Sequence, residues 1–125
     1  MNPERGTQAL DEERREDVVV MRPGADFWQG GEETDRFLRR AQELAAGGCR
    51  GLVVNLARFN RLTSLSAGAI ADAWKTFHGR GARLIVCCAS KEILLMFKLT
   101  RLEGVLTLCA SESEALALLE SSPAP

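Results

Sequence analysis

The chain has 125 residues, 46% of them hydrophobic, with 16 basic and 17 acidic side chains and a formal charge of −1. This is one domain's worth, enough for a single core and not for two, and the near-balance of charge argues against nucleic acid or an anionic membrane as a partner. No stretch approaches the ~20 apolar residues of a membrane span, and the N-terminal MNPERGTQALDEERRED lacks the apolar segment of a signal peptide, so a soluble cytoplasmic protein without membrane insertion is expected.

Residues 1–16 are polar and strongly charged; residues 7–10 are expected as an edge strand ahead of a turn-like DEERRED cluster. Residues 17–21 (DVVVM) form a better strand, ended by Arg22-Pro23-Gly24. Phe27 and Trp28 then fall in a loop closed by Gly30-Gly31. Two large aromatics there are either a partner-contact patch or a cover for the core, and the second is preferred. A helix is expected over residues 32–46, with Phe37, Ala41, Leu44 and Ala45 on one face and Glu33, Arg36, Arg39, Arg40 and Glu43 mostly outside. Gly47-Gly48 stops it, and its arginine run is taken as a solvated face.

Leu52, Val53, Val54, Asn55 and Leu56 are a short apolar run with β-branched residues at its centre. That suits a strand covered on both faces, as in a parallel sheet. Residues 57–62 cross the sheet end. Thr63-Ser64-Leu65-Ser66-Ala67-Gly68 then turns into a helix in which Ile70, Ala71, Trp74 and Phe77 recur at helical spacing, with Trp74 expected to pack against the sheet. The hydroxyls of this turn suit the free amides at a helix start. His78-Gly79-Arg80-Gly81 closes the helix; its GxG follows a helix rather than a strand and is a cap and tight turn, not a nucleotide fingerprint.

Residues 83–89 (RLIVCCA) are the second buried strand, and Ser90 caps a third helix reaching about residue 102. Ile93, Leu94, Leu95, Met96, Phe97, Leu99 and Leu102 wrap too much of its circumference for one core-facing stripe. Ile93, Leu94 and Phe97 supply a sufficient inward stripe, which leaves Leu95, Met96 and Leu99 as an apolar surface for a partner. Residues 105–109 form the last strand, Ser111 and Glu114 a capping box, and Leu116, Leu118 and Leu119 dock a final helix before a frayed tail over residues 121–125. The domain proper thus spans residues 17–120. Strands alternating with helices imply an α/β fold: a mixed sheet of four to five strands with about four helices.

Four cysteines, Cys49, Cys87, Cys88 and Cys109, include no CxxC pair, and adjacent Cys87 and Cys88 on a strand are expected to point to opposite faces. They are taken as small hydrophobes. The one histidine, His78, completes neither a metal site nor a nucleophile–base pair, so no metal, cofactor or catalytic residue is expected.

The segment VVNLARFNRLTSLSAGAI resembles the centre of a STAS domain of the bacterial anti-sigma factor antagonist type. In that family a V-x-[DN]-L strand is followed, after a short connection, by D-S-S-G-L-G opening the second helix. The match runs without gaps from Val53 to Gly68 and extends through GARLIVCCA, the Ser90–Phe97 helix and VLTLC, covering most of the chain from about Asp17 onward. Thr63 stands where the family usually has Asp, Ser64 where it has the phosphorylated Ser, Leu65 where it has a second Ser or Thr, and Ser66 where it has Gly.

The resemblance implies the STAS-type fold and a non-enzymatic signalling module. Its partner would be an anti-sigma factor that is also a serine kinase of the histidine-kinase-like ATPase type. The unmodified domain binds it and frees the sigma factor; phosphorylation, at Ser64 by position, reverses this. Because the motif departs at three positions, Thr63 and Ser66 remain alternative acceptors, and capping alone is the plain reading of all three hydroxyls. An unphosphorylated scaffold, or an accessory subunit of a phospholipid-transport ABC ATPase, are the alternatives of another kind. Thr63, Ser64, Leu65, Ser66, Leu95, Met96 and Leu99 are the expected partner-binding residues, and a homodimer stays open.

Overall fold

A computed structural model describes residues 9–29 and 31–121. Thr7, Gln8, Gly30 and residues 122–125, which include parts of the expected edge strand, loop and tail, lie outside the described residues. The strands are Leu10–Arg15 (β1), Val18–Pro23 (β2), Gly51–Asn55 (β3), Arg83–Cys87 (β4) and Thr107–Cys109 (β5). The helices are Gly31–Ala46 (α1), Ser64–Gly79 (α2), Lys91–Leu99 (α3) and Glu112–Ser121 (α4), with single 3-10 turns at Phe27–Gln29 and Leu102–Gly104.

The sheet order is β1-β2-β3-β4-β5, antiparallel between β1 and β2 and parallel thereafter. A right-handed crossover between parallel neighbours puts its helix on a fixed side. Because the order never reverses, α1, α2 and α3 all land on one face. There Phe37, Ile70, Phe77, Ile93 and Phe97 pack on Val19, Met21, Leu52, Val54, Leu84 and Val86. The alternate residues Val18, Val20, Val53, Ile85 and Cys87 point to the other face, as the period of two in a strand requires. That face is covered by α4, through Ala115 and Leu119.

Both ends of α4 are pinned by strand residues. Its last turn contains no basic residue, and the carbonyls of Leu118 and Leu119 accept instead from Arg83 Nη1 at 3.1 Å and Arg50 Nη1 at 3.0 Å. Cations there answer the negative end of the helix. Arg50 also pairs with Asp17 at 2.9 Å.

Several local expectations are corrected. The first strand occupies Leu10–Arg15, the stretch expected as a turn-like cluster, and the turn is only Glu16-Asp17. Charged side chains suit an edge strand, and here they reach neighbours: Glu12 pairs with Arg40 of α1, Glu13 with Arg22 and Arg15. The preferred reading of Phe27 and Trp28, by contrast, holds: both are buried, meeting edge to face at 4.8 Å, with Trp28 on Phe37 at 5.0 Å, and cover the core. The arginines of α1 are not simply solvated, since Arg36 sits 5.2 Å from the Phe27 ring centre and Arg40 bridges Glu12 and Glu43.

Trp74, expected in the core, is only half-buried at its margin, stacked on His78 at 4.7 Å. Ala73 and Phe77 take the inward positions. The expected third helix stops at Leu99 rather than near residue 102, where the Thr100 hydroxyl donates to the Met96 carbonyl and Arg101 turns left-handed. Cys87 and Cys88 do not face opposite ways: β4 ends at Cys87, Cys88 has φ 63°, and both pack in the cluster beneath α4.

Two glycine sites are required by geometry. Gly48, at φ 88°, ends α1 with its amide on the Ala45 carbonyl and the Cys49 amide on the Leu44 carbonyl, a left-handed cap that glycine adopts without steric cost. Gly51 leaves room for Leu119, since a Cβ there would stand 2.8 Å from both Leu119 methyls. Gly51→Val should therefore destabilise the domain by about 1–3 kcal/mol through overpacking, read from the midpoint of chemical denaturation. An unchanged midpoint would mean that α4 is not seated as described.

Candidate functional site

In a parallel sheet with helices after each strand, every helix begins at the strands' carboxyl edge. The N-termini of α2 and α3 open there side by side. Thr63 is the N-cap of α2, extended at φ −79° and ψ 164°, and its Oγ1 accepts from the Ser66 amide at 3.0 Å. The Thr63 and Ser66 hydroxyls share a hydrogen bond at 2.9 Å. Ser66 is 1% exposed, so its hydroxyl is enclosed and used by the cap.

Ser64 and Leu65 are the first two residues of the helix and both are exposed, Leu65 by 58%. The amides of a first turn have no partner within the helix, so the Ser64 side chain projects into solvent at a positive helix end. The expected turn residues thus divide: Thr63 and Ser66 build the cap, Ser64 and Leu65 are presented outward.

Ser90 caps α3 in the same way, accepting from the Ile93 amide at 3.2 Å. Its hydroxyl also donates to the Asn60 carbonyl at 3.2 Å, which ties this helix start to the loop leading into Thr63. Along α3, Ile93 and Phe97 are fully buried, Met96 is half-buried against the same core, and Leu94 is exposed with Leu95 (55%) and Leu99 (75%). The expected inward stripe of Ile93, Leu94 and Phe97 is therefore corrected. Residues three and four apart share a helix face, so Met96 joins Ile93 and Phe97 inside while Leu94 turns out. The outward apolar set is Leu94, Leu95 and Leu99.

A polar network at the same sheet edge was not legible in the sequence. Arg22 grips Glu112, the first residue of α4, with Nε at 2.7 Å and Nη2 at 2.8 Å, and Nη2 also reaches Glu13 at 2.9 Å. Asn55 donates to Glu112 Oε2 at 2.5 Å, and its Oδ1 accepts from the Ala57 amide at 2.7 Å. The only local signal was one amide ending an apolar run. The hydrogen bonds from Arg22, then that from Asn55, outweigh burial and hold the Glu112 carboxyl down at about 2.

His78 lies at the far end of α2 from Ser64, roughly 20 Å away at 1.5 Å per residue, so the two form no catalytic pair. Among the described residues no group of three or more His, Cys, Asp or Glu is arranged to hold a metal ion, and no helix is long and apolar enough to cross a membrane.

The STAS domain model matches residues 9–115. Among solved structures, the chain superposes on the protein TM1081 from Thermotoga maritima with a TM-score of 0.76, at 15% identity over 93% of this chain and 98% of that one. A STAS domain protein from Planctomyces limnophilus gives 0.76 at 15% identity over 89% and 97%. The anti-sigma factor antagonist SpoIIAA, in its unphosphorylated form, gives 0.75 at 17% identity over 91% and 98%. At these identities the likeness is one of fold.

The Glu112 network predicts an acid dependence. A carboxyl held below its unfolded value stabilises the fold above that value and loses the contribution as pH falls toward the folded one. The contribution of Glu112 is complete above about pH 4.5 and fades toward about pH 2. Glu112→Gln should cost about 1–3 kcal/mol at pH 7, and the gap to wild type should narrow across that window in denaturation series. A gap independent of pH would show that the carboxylate charge is not what holds α4.

Proposed function

Because the chain belongs to the STAS domain family, a family of non-enzymatic interaction modules, we propose that it is an anti-sigma factor antagonist switched by phosphorylation at Ser64. Its partner on this reading is a cytoplasmic anti-sigma factor that is also a serine kinase of the histidine-kinase-like ATPase type. Binding of the unmodified domain frees the sigma factor, and phosphorylation reverses it. The observation that carries the reading is the division within the α2 turn: Ser64 is exposed while Ser66 is 1% exposed and committed to the cap with Thr63.

A phosphate on Ser64 adds roughly −1.5 to −2 charges. The helix N-terminus tolerates an anion, so the domain stays folded. A partner seated on Leu65 would have to desolvate that charge or supply cations, and binding is lost instead. Thr63 fits the same account, since Thr and Asp both serve as N-caps. It keeps the cap that the family's usual Asp would make and removes a carboxylate beside the acceptor. Leu94 and Leu95 extend the surface near the start of α3, which is joined to the turn through Ser90 and Asn60, and Leu99 continues it toward the helix's other end.

Incubation with the cognate kinase and ATP should place one phosphate on Ser64 by mass spectrometry, and Ser64→Ala should take none. Phosphate on Thr63, on Ser66 or nowhere would sink the assignment. Leu95→Glu and Leu99→Glu should weaken partner binding at least tenfold while moving stability by no more than about 0.5 kcal/mol, as exposed sites do. Full binding by both variants would remove α3 from the interface. Recovery of a transport ATPase in place of a kinase would favour the accessory-subunit reading.

A further inference from the structure

The connections leaving the sheet part between β4 and β5. The chain after β4 passes to α3, which packs through Ile93 and Phe97 on the face that carries Val86. The chain after β5 passes to α4, which covers the other face through Ala115 and Leu119. Neighbouring strands whose connections depart to opposite faces leave a crevice at their carboxyl ends, the place where open α/β sheets bind ligands. A cavity of about 370 Å³ lies there, walled by Val86, Cys88, Leu94, Leu108 and Cys109, with Ala89 and Ala110 completing its lining. It straddles the end of the sheet. Val86 and Leu108 belong to the core beneath α3, Cys88 and Cys109 to the cluster beneath α4.

The walls are chemically uniform. No Asp, Glu, Lys, Arg or His lines this cavity, whereas three other crevices, of about 290, 280 and 340 Å³, are each walled by arginines. Glu112, at the start of α4, is engaged with Asn55 of β3 and Arg22 of β2, on the far side of β4 from β5. Burial pushes the Cys109 thiol up, so it stays neutral at pH 7, and a neutral Cys packs as a small hydrophobe. Leu94 is 38% exposed, and Cys88, Leu108 and Cys109 are half-buried, so solvent meets apolar walls. Pockets of ~300–1,000 Å³ with mainly apolar linings are the usual form of a small-molecule site.

We propose that the crevice between β4 and β5 is a binding site for an uncharged, apolar small molecule about the size of a substituted aromatic ring. An apolar cavity of ~150 Å³ is enough to admit benzene, so this one has room for the ring and its substituents. A charged group seated among these walls would lose its hydration and find no partner to replace it. The inference requires nothing of the Ser64 reading. Leu94 belongs to both surfaces, but the test uses the protein alone, without kinase or partner, so each reading can fail without the other.

Toluene serves as the probe, with benzoate and benzylammonium as charged counterparts of the same ring. Isotope-labelled protein is titrated with each, and backbone amides and Leu and Val methyl groups are followed by NMR. Toluene should give saturable shifts at residues 88–89, 94 and 108–110, with nuclear Overhauser contacts to the Leu94 and Leu108 methyls. Benzoate and benzylammonium should bind at least tenfold more weakly. Ala110 is exposed at the edge of the crevice, so Ala110→Leu should occupy the space and weaken toluene binding at least tenfold with the melting temperature held. If that variant fails to fold, the contacts in the wild-type protein decide. The proposal is overturned by no saturable shift up to the solubility of toluene, by an equal response at Leu95 and Leu99, by equal binding of a charged probe, or by undiminished binding to folded Ala110→Leu. Shifts at the same residues on raising the protein concentration alone would make the crevice the seat of a second copy, and would overturn it as well.

Discussion

The second face of the sheet depends on one short helix held at its two ends. α4 has ten residues, too few to persist as an isolated helix in water. Glu112 ties its start to Arg22 and Asn55, and Arg50 and Arg83 take its last carbonyls. Between these pins only Ala115 and Leu119 are fully buried, and Leu119 is admitted by the missing side chain at Gly51. All four of these polar partners come from strands β2, β3 and β4 or from the residue just before β3. The sheet therefore positions the helix that completes it.

On the opposite face, the buried and the exposed apolar residues of the same helices are separate sets. Ile70, Phe77, Ile93 and Phe97 are sealed in the core, while Leu65, Leu95 and Leu99 contribute little to it. The caps are likewise closed within the domain, Thr63 on the Ser66 amide and Ser90 on the Ile93 amide. Outward residues can then change charge or identity without opening a helix end. That separation is what a surface switch needs, because the free energy of modification is spent on the contact and not on unfolding.

The alternation of strands and helices was legible because apolar runs such as 52–56 and 84–87 and the stripe Phe37, Ala41, Leu44 carry their periodicity locally. The first edge strand was expected too early because its stabilising pairs, Glu12 with Arg40 and Glu13 with Arg22, join distant residues, and DEERR alone has no apolar alternation. Met96 and Leu94 exchanged roles because a helix as apolar as α3 gives no contrast from which to phase its inward face. Trp74 was misplaced for a related reason: hydrophobicity marks a residue as fit for the core, and only packing says whether Ala73 and Phe77 already fill it. At the site, the family pattern located the turn. The split between the enclosed Ser66 and the presented Ser64 came from cap geometry, which the spacing of hydroxyls does not encode. The Arg22–Glu112–Asn55 network spans 90 residues of sequence, beyond any local signal.

The sequential order of the strands has a further effect. Open α/β sheets bind small molecules where neighbouring connections depart to opposite faces and leave a crevice between them. Here the three crossovers of the parallel strands all depart to one side, and only the connection after β5 departs to the other, into α4. The architecture offers helix starts and loops as a continuous outer rim, legible to a surface of matching shape. A rim of this kind is well suited to transmit information by being touched.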